Sequence, residues 1–178
     1  MVERTGEAFE LDQQLTVLGR RLAPGDEAPD FALDSFDEAS GAMTVVRLAD
    51  GAGAVRLLNI VNSLDTPVCH VETHRWDELR GQLPANVVVY TVSMDLPYAQ
   101  ARWRTAEGVA HQALSSHRDE RFGQDYGVLI KEWRLLQRAV FVIAPDDRIA
   151  HAEYVADQMR EPDYTAALDA ARRVSGSA

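Results

Sequence analysis

Cys69 is the only cysteine in this 178-residue chain, and its neighbours decide what a lone thiol can do there. An apolar run from Val55 to Val61 ends just upstream, and a helical pattern runs from Cys69 to Leu83. The thiol is therefore expected at the tip of a helix that follows a buried strand. Amide groups at a helix N-terminus lack intrahelical acceptors and carry partial positive charge. They favour thiolate, the nucleophilic form, over thiol. Thr66 suits the N-cap and Pro67 the first helical position, which makes Cys69 the third. A capping box has Glu or Gln at that place. Here it is sulfur, so the spacing expects the Thr66 hydroxyl close to both the Cys69 amide and Sγ. The bland alternative is a buried apolar cysteine with no chemistry.

Other side chains compete for a role. Arg138 stands at the mouth of an apolar strand, Ala139 to Ile143, where a guanidinium needs an anionic partner. His70 and His74 lie four apart on the Cys69 helix, a spacing that can hold a metal. Residue 71 is Val and Glu falls at 72, so the string is not His-Glu-x-x-His; two solvated histidines is the plainer reading. Trp76 and Leu83 follow Cys69 by seven and fourteen residues and are expected on its face as core, or as a floor under the thiol. Trp103 and Trp133 suit packing or the wall of an apolar pocket. Asp95 and Glu107 read first as helix caps.

The elements that position these residues alternate in type. A weak hairpin pattern covers residues 8–22, with Phe9, Leu11 and Val17 as its alternating apolar positions. Short strands are expected at Phe31 to Leu33 and Met43 to Leu48, then a central strand at Val55 to Val61. After the Cys69 helix, Val87 to Val92 is β-branched and apolar, the pattern of a buried parallel strand. Pro97 to Glu107 reads as a helix stopped by Gly108, followed by a strand near Ala113 and a short helix over Arg118 to Tyr126. Ala139 to Ile143 and Ile149 to Val155 form a strand hairpin around Pro145-Asp146-Asp147, and Asp163 to Val174 is an amphipathic helix. This order suits an α/β protein, a mixed sheet with helices on both faces. The division expected is an N-terminal extension over 1–24, one domain over 25–174 and a tail over 175–178.

Several strings carry a resemblance in the same order. Ser63-Leu64-Asp65-Thr66-Pro67-Val68-Cys69 resembles the active-site motif of peroxiredoxins, in particular the bacterial thiol peroxidase branch. Ser93-Met94-Asp95-Leu96-Pro97-Tyr98-Ala99-Gln100, Phe122-Gly123-Gln124-Asp125-Tyr126-Gly127-Val128, Arg138-Ala139-Val140-Phe141-Val142-Ile143 and Glu161-Pro162-Asp163-Tyr164 are similar to later motifs of that branch. The resemblance covers about Gly25 to Leu168. It implies a thioredoxin-like fold and reduction of hydrogen peroxide and organic hydroperoxides through a Cys69 sulfenic acid. It casts Cys69 as nucleophile with Thr66 and Arg138 as its helpers, and Arg102 as a second, weaker arginine candidate. Asn62, Ser63, Val68, Trp103 and Trp133 are the candidates for the substrate pocket. No cofactor and no metal is implied. The implied partners are a hydroperoxide, an external thiol such as thioredoxin or a low-molecular-weight thiol, and a second copy in a homodimer.

Three departures stand out. Asn62 replaces the proline seven residues before the cysteine, Arg104 occupies the resolving-cysteine position, and Glu132-Trp133-Arg134-Leu135-Leu136 replaces a segment around Gly-Pro-Leu. With no resolving cysteine, the chemistry is expected in a one-cysteine mode. Two alternatives stay open: a slow redox sensor or binding protein that keeps the fold, and a metal-binding protein using Cys69, His70 and His74.

Composition limits the remaining classes. The formal net charge is −10, which disfavours nonspecific binding to DNA or anionic membrane. Met1 to Asp12 shows no basic-then-apolar leader pattern, and no apolar run is long enough to span a bilayer. A cytoplasmic protein is the expectation, and a single cysteine fits a reducing compartment.

Overall fold

A computed structural model describes residues 1–176. Among these residues, the central sheet has seven strands: β3 (Ala32–Asp37), β4 (Ala42–Arg47), β5 (Val55–Ile60), β6 (Val87–Ser93), β7 (Gln112–Ser115), β10 (Ala139–Ile143) and β11 (Ile149–Tyr154). Their order across the sheet is β11-β10-β5-β6-β7-β3-β4. β5, β6 and β7 pair in parallel, and β10, β11, β3 and β4 extend the sheet antiparallel at its two sides. The parallel crossovers are α1 (Pro67–Leu79), between β5 and β6, and α2 (Pro97–Glu107), between β6 and β7. Gly108 ends α2 at φ 68°, a left-handed conformation that favours glycine.

The period of two along each strand divides the core. Val55 and Leu57 of β5, Val89 of β6, and Val140 and Val142 of β10 face Trp76 and Leu79 of α1. Ala167, Leu168, Ala170 and Ala171 of α4 (Tyr164–Ser175) complete that layer. Leu58, Ile60, Tyr90, Val92 and Phe141 point the other way, toward Phe122 of α3 (Arg121–Asp125) and Tyr126 just after it. Asp163 caps α4, accepting from the Ala166 N–H at 3.0 Å. The expected tail over 175–178 lies partly outside the described residues, and Ser175 is the last residue of α4.

The N-terminal hairpin is β1 (Glu3–Glu10) with β2 (Gln13–Leu18). Its inward residues are Ala8, Leu15 and Val17, not the expected Phe9–Leu11–Val17 set. Leu11 is in the turn, 80% exposed at φ 50°. The hairpin is part of a second, four-stranded sheet completed by β8 (Leu129–Ile130) and β9 (Leu135–Leu136), two-residue strands with no signal in the sequence pattern. The turn between β8 and β9 carries Trp133.

Candidate active site

Cys69 and the residues at i+3, i+4, i+7 and i+10 from it, Glu72, Thr73, Trp76 and Leu79, are all five buried. A glutamate on such a stripe must find a cation or give up its charge. Arg138 is that cation. It continues the alternation of Val140 and Val142, so it faces α1, and its Nη1 donates to Glu72 Oε2 in a pair with almost no exposure on either side. Nη2 donates to the Gln158 carbonyl at 2.9 Å and reaches Asn62 Oδ1 at 3.5 Å. Burial pushes the Glu72 carboxyl upward, and the adjoining guanidinium limits the rise. For Arg138, burial opposes the charge, but Glu72 and Cys69 outweigh it and raise the guanidinium above its ordinary value.

Cys69 has no exposed surface. Cys69 packs with Val61, Leu64, Trp103 and Val109, yet its Sγ meets Asn62 Oδ1 at 3.8 Å, the same oxygen that Arg138 Nη2 reaches at 3.5 Å. The sulfur thus has an apolar floor and a charged neighbour. Trp103 forms that floor, not Trp76, which belongs to the layer under α4 and meets Tyr164 edge-on. Leu83 lies beyond the end of α1, so the helical interval from Cys69 does not apply to it.

Asn62 ties three segments together. Its Nδ2 donates to the Leu136 carbonyl at 2.6 Å and to Gln158 Oε1 at 3.1 Å, and Gln158 Oε1 also accepts the Arg138 backbone N–H at 2.9 Å. Thr66 is the N-cap residue of α1, but its hydroxyl donates to the Ser63 carbonyl at 2.9 Å and caps no helical amide. The expectation that it sits at the Cys69 amide and Sγ is therefore corrected. The Ser63 carbonyl, three residues back, captures the hydroxyl locally. The amides of Val68 and Cys69, second and third in the helix, have no intrahelical acceptor.

A cavity of ≈ 350 Å³ opens beside this cluster, lined by Glu10, Asn62, Thr66, Pro67, Val68, Trp133, Leu135, Arg138, Gln158 and Met159. Of the five expected pocket residues, Asn62, Val68 and Trp133 line it. Ser63 does not, because its hydroxyl donates to Asp95 Oδ1 at 2.7 Å. Trp103 does not, because it is packed beneath the sulfur. Asp95 also accepts the Leu64 N–H at 2.9 Å, so it braces the loop before α1 and does not cap α2. Arg104 hydrogen-bonds the Ala110 carbonyl at 2.9 Å, away from the cavity. Glu72 and Gln158 were missed by the sequence reasoning. Glu72 had a signal, its place on the buried stripe, whereas Gln158 lies in an irregular loop and had none.

A cysteine at the start of the first crossover helix, facing an arginine from an antiparallel strand, on a seven-stranded mixed sheet, defines a thioredoxin-like redoxin site. The chain belongs to the Redoxin family, whose model matches residues 23–168. Within that family, the thiol peroxidase of Halalkalibacterium halodurans is 43% identical over 159 residues, covering 89% of this chain and 92% of that protein. The thiol peroxidase of Bacillus subtilis is 42% identical over 161 residues, with 89% and 92% covered. Among solved structures, a peroxiredoxin-like protein from Aquifex aeolicus superposes with TM-score 0.82 at 29% identity, over 96% of this chain and 98% of that one. These relatives favour neither the slow-sensor nor the metal-binding alternative as the main activity.

Proposed function

We propose that the protein reduces hydroperoxides with Cys69 as nucleophile. The observation that carries the reading is the sulfur and Arg138 converging on Asn62 Oδ1, at 3.8 and 3.5 Å, directly behind an apolar-lined cavity whose wall includes Asn62 and Arg138. The Cys69 thiolate attacks the terminal oxygen of R–O–O–H. The S–O bond forms as the O–O bond breaks, sulfur is oxidised to Cys69–S–OH, and the departing RO⁻ takes up a proton to leave as ROH. Negative charge moves from sulfur onto the departing oxygen during this step, and donors preorganised around that path lower its barrier. Arg138 supplies the charge, and its Nε is a buried donor without a partner among the described residues. The Val68 and Cys69 amides add two donors. Thr66 contributes by fixing the loop that presents them. Glu72 keeps Arg138 in place.

Because the chain has one cysteine, the sulfenic acid is reduced from outside. A first thiol condenses with Cys69–S–OH, releasing water and leaving a mixed disulfide. A second thiol exchanges with it and returns Cys69 as thiol, with the two external thiols joined as a disulfide. Thioredoxin and a low-molecular-weight thiol are the two reductant classes, separable by comparing turnover with each. The reading carries a homodimer with it, which sedimentation tests.

Trp133, Leu135, Val68 and Met159 give the cavity room for an alkyl group. Rapid mixing of reduced protein with hydrogen peroxide and with an aryl-alkyl hydroperoxide, followed by dimedone trapping, is the test. We expect one sulfenic acid on Cys69 and a rate far above that of a free thiol of equal pKa. A rate no faster than that thiol, or trapping elsewhere, would overturn the proposal.

A further inference from the structure

α1 has a second chemical face. Cys69, Glu72 and Thr73 point inward, while His70 and His74 point outward and meet Glu107 from the last turn of α2. We propose that His70, His74 and Glu107 bind one divalent transition-metal ion of the zinc or copper class, which ties α1 to α2 beside the buried thiol.

The geometry is that of a ligand set. One nitrogen from each histidine and one Glu107 oxygen lie within 4.8 Å of one another. Glu107 Oε2 is 3.2 Å from His74 Nε2 and 3.8 Å from His70 Nε2. A tetrahedral ion with bonds of about 2.0–2.2 Å holds its ligand atoms roughly 3.3–3.6 Å apart, so small side-chain adjustments complete the site. The imidazoles are already arranged for this. Their centroids are 4.7 Å apart, and each packs on the Trp103 ring, at 5.4 Å and 5.6 Å. Arg75, the next cation along this face, is drawn away by Glu78 at 3.1 Å. The three ligands are partly exposed, which leaves the fourth position to water, and a net charge of −10 favours cations near the surface. Two neutral imidazoles and a carboxylate suit zinc and copper better than calcium or magnesium.

Trp103 links this face to the thiol, because the ring that supports both histidines also packs on Cys69. Cys69 has no exposed surface, so a reagent reaches it only when the structure around the first turns of α1 opens. An ion bridging His70, His74 and Glu107 resists that opening. The consequence for turnover, slower reduction by an external thiol, rests on the peroxidase reading; the site itself does not.

The test titrates the full chain with Zn²⁺ against a chromophoric chelator. One ion per chain is expected. Affinity should fall at least about tenfold in His74→Ala and in Glu107→Gln, the low end of the loss caused even by an outer partner of a metal ligand. Cys69→Ser should bind as the parent does. No stoichiometric binding, or binding kept by the His74→Ala/Glu107→Gln double variant, overturns the site. Alkylation of Cys69 by iodoacetamide supplies a readout independent of peroxidase activity. Zn²⁺ should slow it in the parent and not in the double variant. Equal rates with and without Zn²⁺ in the parent overturn the clamp, and slowing that persists in the double variant overturns it too, by assigning the effect to metal on the thiol. Unchanged melting of both single variants without metal checks that the fold is intact.

Discussion

Asn59 and Asn62 are three residues apart, both buried, and each begins a polar network that ends differently. Asn59 Nδ2 donates to Thr91 Oγ1 at 3.0 Å, Thr91 meets His111 Nε2 at 2.8 Å, and His111 Nδ1 meets Asp77 Oδ1 at 3.0 Å. With its oxygen occupied by Asn59, Thr91 donates its O–H to His111 Nε2, and the imidazole donates from Nδ1 to the carboxylate. This chain is consistent with a neutral ring, and burial lowers His111 to about 4 despite the pull of Asp77. The Asn62 network ends instead on a guanidinium that stays charged, and on a cavity. Burial is common to both. What distinguishes the Asn62 network is a retained positive charge and a donor, Arg138 Nε, without a partner among the described residues, placed beside the thiol.

The strongest way to break this comparison is to remove the charge. Arg138→Met should slow the reaction of Cys69 with hydrogen peroxide by about 10²–10³-fold, the scale seen when one preorganised donor to developing charge is lost. His111→Gln should change that rate by less than about twofold, since its network touches neither sulfur nor cavity. Stopped-flow rates on both variants decide it. Similar slowing in the two would erase the distinction. Glu72→Gln added to Arg138→Met should restore stability without restoring rate, because it removes a buried carboxylate left without its partner.

The two networks should also separate in pH dependence. The folded pKa of His111 lies below its ordinary 6.5, so as pH falls below 6.5 the unfolded chain gains a proton that the native state refuses until about 4. Its contribution is fully present above the unfolded pKa and is lost as pH falls through that window. The loss is at most on the order of 3 kcal/mol. Urea unfolding at several pH values should give a steeper acid loss for the parent than for His111→Gln. Parallel curves would mean that His111 takes up its proton in the native state as readily as in the unfolded chain.

The sequence revealed one of these networks better than the other. Cys69 at a helix tip and Arg138 at a strand mouth were legible because each is an exception to a local pattern: a thiol where a capping glutamate belongs, a cation at the edge of an apolar strand. The helix Pro97–Glu107 and the strand Ala139–Ile143 were legible to the residue, since Gly108 and the apolar run fix their limits. The hydroxyl of Thr66 was misread because two acceptors or donors compete for it within one turn, and spacing alone does not rank them. β8 and β9 were invisible because two-residue strands have no period. Gln158 and the His111 chain were invisible for another reason. Their partners come from segments far apart in the chain, and only the fold brings them together.

Asn62 offers the smallest and sharpest test, because it stands where the resemblance implies proline. Removing its amide in Asn62→Ala takes a donor from the Leu136 carbonyl and from Gln158 Oε1. Gln158 Oε1 keeps the Arg138 N–H, so one acceptor, not two, is left without a donor. An orphaned buried acceptor costs roughly 1–3 kcal/mol, and this site should fall at the lower end. The same change removes Oδ1 from Sγ and from Arg138 Nη2, but the guanidinium keeps Glu72 and the Gln158 carbonyl as anchors. The peroxide rate should therefore fall far less than in Arg138→Met, by under about tenfold (a barrier change below roughly 1.4 kcal/mol). A loss of rate approaching that of Arg138→Met would make Asn62 a partner in the chemistry. Unchanged stability would mean that its two hydrogen bonds are replaced when it is lost.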